Sequence, residues 1–172
     1  MTLGLFEKFP ALIHFSETFS SALPTKQLQQ RLIRIFYEVN KLEFSFEEAA
    51  NPTIPNCKVI FEFGIADGKA FNYMDGEELE KALYLLEKEQ LDSIDFLCSI
   101  RYYKILGDKK TALKFDYYFI RTMYGDNSFE IDVAHEKGPR YISPEDLTTF
   151  ISKKVNEGVR TKILTQVIDG LI

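Results

Sequence analysis

The sequence predicts an α+β protein: one mostly antiparallel sheet with helices packed on one face. Three observations predict it. The first is an internal repeat. Residues 61–79, FEFGIADGKAFNYMDGEEL, return without a gap at 129–147 as FEIDVAHEKGPRYISPEDL. Identical pairs are Phe61/Phe129, Glu62/Glu130, Ala66/Ala134, Lys69/Lys137, Tyr73/Tyr141, Glu77/Glu145 and Leu79/Leu147. Each copy reads as a strand, a turn, a second strand and the start of a capped helix. The second observation is period-two apolar alternation over several segments, the mark of strands with one face packed. The third is the aromatic content: 15 Phe and 9 Tyr without Trp, suited to a β-rich core. A length of 172 residues fits a single domain spanning 1–172. Its two strand-strand-strand-helix halves lie at about 42–87 and 113–155.

In order along the chain, residues 1–9 form a lead-in arm and Ala11–Ser16 a short strand, broken at Ser20–Pro24. Thr25–Val39 is a helix with Leu28, Leu32, Ile35, Phe36 and Val39 on one stripe, and with Gln29, Gln30 and Arg34 off it. Leu42–Glu48 alternates as a strand. Cys57–Ala66 is a strand with Val59, Phe61, Phe63 and Ile65 inward. Asp67-Gly68 is a hairpin turn, since glycine accepts the positive φ of a tight turn. Lys69–Met74 returns, and Asp75 caps the next helix with Glu78 three residues on. Ser93–Leu106 is a long strand. Ala112–Tyr124 is another, with Leu113, Phe115, Tyr117 and Phe119 inward. Phe129–His135 follows, then a short return strand at 138–142. Ser143-Pro144-Glu145-Asp146 opens a helix by cap, proline and dipole rules. Gly158 ends it, and a last helix spans about 159–169.

This order of elements over about residues 10–157 resembles the TATA-box-binding-protein-like fold and its helix-grip relatives. The resemblance implies a sheet with one face free. In the TATA-box-binding family that face is basic and wedges Phe into the minor groove. Here the positions expected outward include Glu43, Glu47, Glu62, Asp116, Glu130 and Asp132 against Lys58 and Lys114, and the net charge is −5. Both argue against nucleic acid. No apolar run reaches the length of a membrane span. MTLGLFEKF has no basic leader region, and Cys57 and Cys98 stand in no ligand-like spacing. A cytoplasmic protein with reduced thiols is expected.

Three chemistries are legible. Alternating carboxylates, with Glu62, Glu130 and Asp132 as metal candidates, suit a divalent ion and a metal-dependent phosphohydrolase. The tunnel-type triphosphatase hallmark of Glu-x-Glu-x-Lys is absent: Glu43 is followed by Ser45 and Glu47. His135 and Glu136 lie beside Glu130 and Asp132, but strand parity separates His135 from that pair. A helix-grip pocket lined by Phe44, Phe61, Phe115 and Phe129 suits a small apolar ligand, with a cavity of about 300 Å³ or more. Finally, Tyr118, Ile120 and Tyr124 fall on the wet face under the expected parity. They need a cover: a second copy of the chain, the N-terminal arm or the last helix. Together with Ile163 and Val167 they are the dimer-interface candidates. No nucleophile motif and no glycine-rich phosphate loop is present, so no cofactor and no catalytic residue is expected. The leading expectation is a non-enzymatic binding or assembly protein acting as a homodimer.

Overall fold

A computed structural model of the chain describes residues 3–51 and 54–167. Along it run β1 (Phe15–Ser21), α1 (Thr25–Val39), β2 (Phe44–Ser45), α2 (Phe46–Ala49), β3 (Cys57–Asp67), β4 (Ala70–Tyr73) and α3 (Gly76–Lys88). Then follow β5 (Ser93–Leu106), β6 (Lys109–Ala112), β7 (Asp116–Gly125), β8 (Ser128–Lys137), α4 (Pro144–Val155) and β9 (Leu164–Gln166). The nine described strands make one antiparallel sheet in the order β2-β3-β5-β7-β8-β1-β9, with β4 folded back on β3 and β6 on β5. Tight hairpins join β3 to β4, β5 to β6 and β7 to β8. Gly68, Gly107 and Asn127 supply the positive φ these turns require.

The helices cover one face. Phe36 of α1 lies flat on Phe63 of β3, centroids 4.0 Å apart, and meets Phe96 of β5 edge-on at 4.8 Å. Phe150 of α4 stacks on Phe61 at 4.5 Å. Beneath them Val59, Ile65, Ile94, Cys98, Ile100, Ile120, Ile131 and Val133 are all buried. Asp75 and Ser143 cap α3 and α4 by accepting the amides of Glu78 and Asp146. The α1 stripe is wider than its apolar pattern. Gln29 is fully buried and donates to the Leu91 carbonyl, whereas Ile35 is only partly buried.

Several expectations change. The strand expected at 11–16 begins at Phe15 and runs to Ser21, because β8 offers it a pairing edge from Val133 to Ser128. Pairing outweighs the weak strand propensity of its serines. The alternation of 42–48 yields only the two residues of β2. Ser45 then starts a helical turn, with its amide held by the Glu48 carboxylate at 2.7 Å. The expected strand 112–124 is interrupted at 113–115, which resets its parity. Asp116, Tyr118, Ile120 and Thr122 face the helices, and Tyr117 and Phe119 face away. Tyr118 and Ile120 are 0% exposed, so neither offers surface to a second copy. The expected return strand 138–142 forms no ladder: Gly138 and Arg140 take positive φ, and Asp116 holds the amides of Arg140 and Tyr141. The expected last helix is replaced over its described part by an irregular segment and β9, which closes on β1. Its final residues, from Ile168, lie outside the described residues.

Two asparagines finish the sheet edges. Asn40, at the C-cap of α1, accepts the Phe63 amide at 2.7 Å and donates to the Phe63 carbonyl at 2.9 Å. It thus serves the β3 edge between the stretches paired with β2 and β4. Asn156, at the C-cap of α4, accepts the amides of Ile163 and Leu164 and donates to the Leu164 carbonyl. Leaving such partly buried backbone groups unpaired is costly. Asn40→Ala and Asn156→Ala are each expected to lower stability by about 1–3 kcal/mol in urea denaturation. A loss below about 0.5 kcal/mol would mean that water replaces the side chain.

Candidate functional site

The face of the sheet turned away from the helices carries the polar and aromatic side chains of interest. Register fixes their rows. One row runs Glu62 (β3), Ser99 (β5), Tyr117 (β7), Lys137 (β8). A neighbouring row runs Leu97, Phe119, Ala134, and the next Asp95, Arg121, Asp132, Ser16. Part of this face has an internal cover. The N-terminal arm enters between the diverging ends of β3 and β5, where the Gly4 amide donates to the Ala66 carbonyl and the Asp95 amide to the Gly4 carbonyl. Leu3 is buried in the core. Phe6 emerges on the outer face and stacks on Phe119 at 5.2 Å and beside Phe71 at 4.6 Å. Phe9 takes the Arg121 guanidinium on its ring at 4.3 Å.

Asp95 is the latch of this arrangement. It is fully buried, accepts two hydrogen bonds from Arg121 at 2.7 and 2.9 Å, and accepts the Phe6 amide at 2.9 Å. The hydrogen bond to Asp95 pushes the Arg121 guanidinium further up and keeps it cationic. An exposed strip remains beyond the arm. In it Glu62 and Arg101 form a 2.6 Å ion pair, both about one-third exposed. Arg101 donates to the Tyr103 hydroxyl at 3.3 Å. Tyr73, exposed, Tyr117, half-buried, and Lys137, over the Tyr117 ring, border the strip.

The metal candidates are dispersed. Glu62 on β3 is separated from Glu130 and Asp132 on β8 by β5 and β7, roughly 14 Å across the strands at ordinary spacing, and its row meets β8 only at Lys137, several residues along the strand from both. Asp132 accepts the Ser16 hydroxyl at 2.6 Å, and Glu43 sits 3.9 Å from Lys110. Among the described residues no group of three or more His, Cys, Asp or Glu is placed to hold a metal ion. Glu130 and Asp132 do touch. Burial first, then its hydrogen bond to Asp132 and the charge there, raise the Glu130 carboxyl above the usual carboxylate range.

Asp116, expected outward, is instead the centre of a buried polar node on the helix side. It accepts the Tyr102 hydroxyl at 2.6 Å, His135 Nε2 at 2.9 Å, and the amides of Arg140 and Tyr141 at 2.6 and 2.9 Å. Tyr118 donates to the Ile142 carbonyl. Burial drives the Tyr102 and Tyr118 phenols far up, so both remain protonated donors. Burial likewise pushes the Cys98 thiol well up, which makes it inert as a nucleophile. The node tethers the segment between β8 and α4 to the start of β7. His14 Nδ1 accepts the His135 amide at 2.9 Å at its margin.

The space expected for an apolar ligand between sheet and helix is filled. Phe61 stacks on Phe150, and Phe44 meets Phe150 edge-on at 5.3 Å. Phe129 packs between Phe19 and Tyr124, and Phe115 lies in the link between β6 and β7. Of the other dimer candidates, Tyr124 packs on Phe129 and bonds Thr122, Ile163 is buried, and Val167 is exposed. An open groove of about 500 Å³ lies elsewhere, on the outer side of α1 beside the end of α4. The grouping of Tyr73 and Tyr103 around Glu62, the seat of the arm rings on Phe119 and this groove were not legible in the sequence, because cross-strand register and helix packing bring the residues together. No family model, no curated protein and no solved structure matches this chain.

A carboxyl raised on folding adds stability that is complete below its unfolded value and is lost as pH rises through its folded value. Glu130→Gln is therefore expected to melt higher than the parent at about pH 7, with the gain vanishing below about pH 4. Thermal melts across that range check it, and a variant less stable at neutral pH would contradict the sign.

Proposed function

We propose that the chain is a non-enzymatic, cytoplasmic assembly or binding protein that works as a homodimer, paired through the uncovered strip of its sheet. The carrying observation is the makeup of that strip. Helices cover one face and the arm covers part of the other, leaving Tyr73, Tyr103, Tyr117 and Arg101 around Glu62. Tyrosine and arginine are the residues enriched at interface hot spots. A two-fold axis near Glu62 and Arg101 sets the acid of one protomer against the guanidinium of its partner, so the surface is self-complementary. The non-catalytic reading is supported by how the carboxylates are engaged: Glu62 by Arg101, Asp95 by Arg121, Asp116 by four donors and Asp132 by Ser16.

The finer fold reading is helix-grip-like, with α1 and α4 laid across one face of the sheet. Stacking of Phe61 on Phe150 speaks against a ligand pocket at the place that fold implies. The internal duplication rests on the sequence identities. The matched caps favour it too, since Asp75 and Ser143 stand at equivalent positions and make the same bond.

Light scattering at about 50 µM is expected to give the mass of a dimer. Arg101→Glu and Glu62→Arg, each placing like charges together, are expected to give monomers, and the double exchange to restore the dimer. A monomeric parent protein would overturn the reading.

A further inference from the structure

The outer groove of α1 is lined by the apolar side chains of Leu23, Ile35 and Val39, with exposed Leu42 at its rim, and its volume of about 500 Å³ lies in the range of small-molecule sites. Its charges do not balance locally, and the imbalance points one way. Glu38 is neutralised by Lys41 at 3.4 Å and Glu157 by Lys154 at 3.1 Å. Lys154 also lies over the rings of Phe44 and Phe150. Arg31 is spent on the end of α4, donating to the carbonyls of Val155 and Glu157 at 2.7 and 2.8 Å. Arg34 is left. It lines the groove, is exposed, and makes no ion pair or hydrogen bond among the described residues. The α1 pattern fits this, since Ile35 was expected in the core stripe and instead lines the groove.

We propose that this groove binds a small amphiphile with one apolar body and a single anionic head. The body lies on Leu23, Ile35, Val39 and Leu42, and the carboxylate or phosphate head is received by the Arg34 guanidinium, whose planar fork suits two oxygens. One apolar body fits because the apolar lining is a single set of four side chains in an open groove of about 500 Å³. An anionic head fits because Arg31 and Arg34 both lack a carboxylate partner among the described residues, and Arg34 is the one whose guanidinium donors are not already held by the α4 carbonyls. The site lies on the helical layer, away from the sheet strip proposed for dimerisation, and depends on neither that reading nor its outcome.

The test uses the full-length protein and calorimetric titration with monomeric decanoate, decanol and anionic phospholipid vesicles. Decanoate is expected to bind once per chain, and decanol at least about tenfold more weakly. Arg34→Glu is expected to weaken decanoate binding at least about tenfold. Leu42→Glu, at an exposed rim position, is expected to weaken decanoate and decanol alike. Circular dichroism and light scattering of both variants should match the parent. Equal binding of decanoate and decanol, indifference to Arg34→Glu, or binding to vesicles alone would overturn the proposal.

Discussion

The central strands β5 and β7 carry apolar side chains on both faces, while the helices form a single layer. Burying only Phe96, Ile100 and Ile120 under α1 and α4 would leave Leu97 and Phe119 in water. The chain meets this constraint by threading its arm through the gap between β3 and β5. The arm places Leu3 on the helix side and Phe6 and Phe9 on the other. A buried carboxylate at the gap is tolerable because Asp95 is paired and hydrogen-bonded on every side the arm presents. What the arm leaves uncovered is narrow, polar-aromatic and centred on one ion pair, so the proposed interface follows from the same constraint as the arm.

A second theme is side chains standing in for missing strand partners. Asn40 and Asn156 sit where helices end and turn their amides onto the edges of β3 and β9. Asp116 does the same for a segment that cannot be a strand. Pro139 has no backbone N–H to donate, and the positive φ of Gly138 and Arg140 breaks any ladder. A Cβ at Gly138 would come within 2.2 Å of the Phe115 carbonyl oxygen, so the tether and the glycine require each other.

The helical and strand layers present different surfaces for different reasons. The strip on the sheet exists because antiparallel register aligns Glu62, Ser99 and Tyr117 across three strands. The groove lies where α1 passes the end of α4, and Arg31, which lines it, ties the two helices through the α4 carbonyls. The tie occupies donors of Arg31 without neutralising its charge, so the groove keeps positive charge and Arg34 keeps its donors free.

The sequence by itself determined what is local. It located α1 and β5 to the residue, set the caps at Asp75 and Ser143, and placed the turns at Gly68 and Gly107, because these rest on periodicity and hydrogen bonds within a few residues. Tertiary structure decided the rest. β7 is apolar on both faces, so alternation could not say which face turns inward, and the break at 113–115 reversed the choice for Tyr118 and Ile120. Residues 159–166 hold apolar spacing that a helix could use, but the free edge of β1 and the Asn156 side chain offered backbone partners at once. Glu62 and Glu130 match in sequence yet sit three strand spacings apart, because a repeat fixes equivalent positions within each half and not the distance between them.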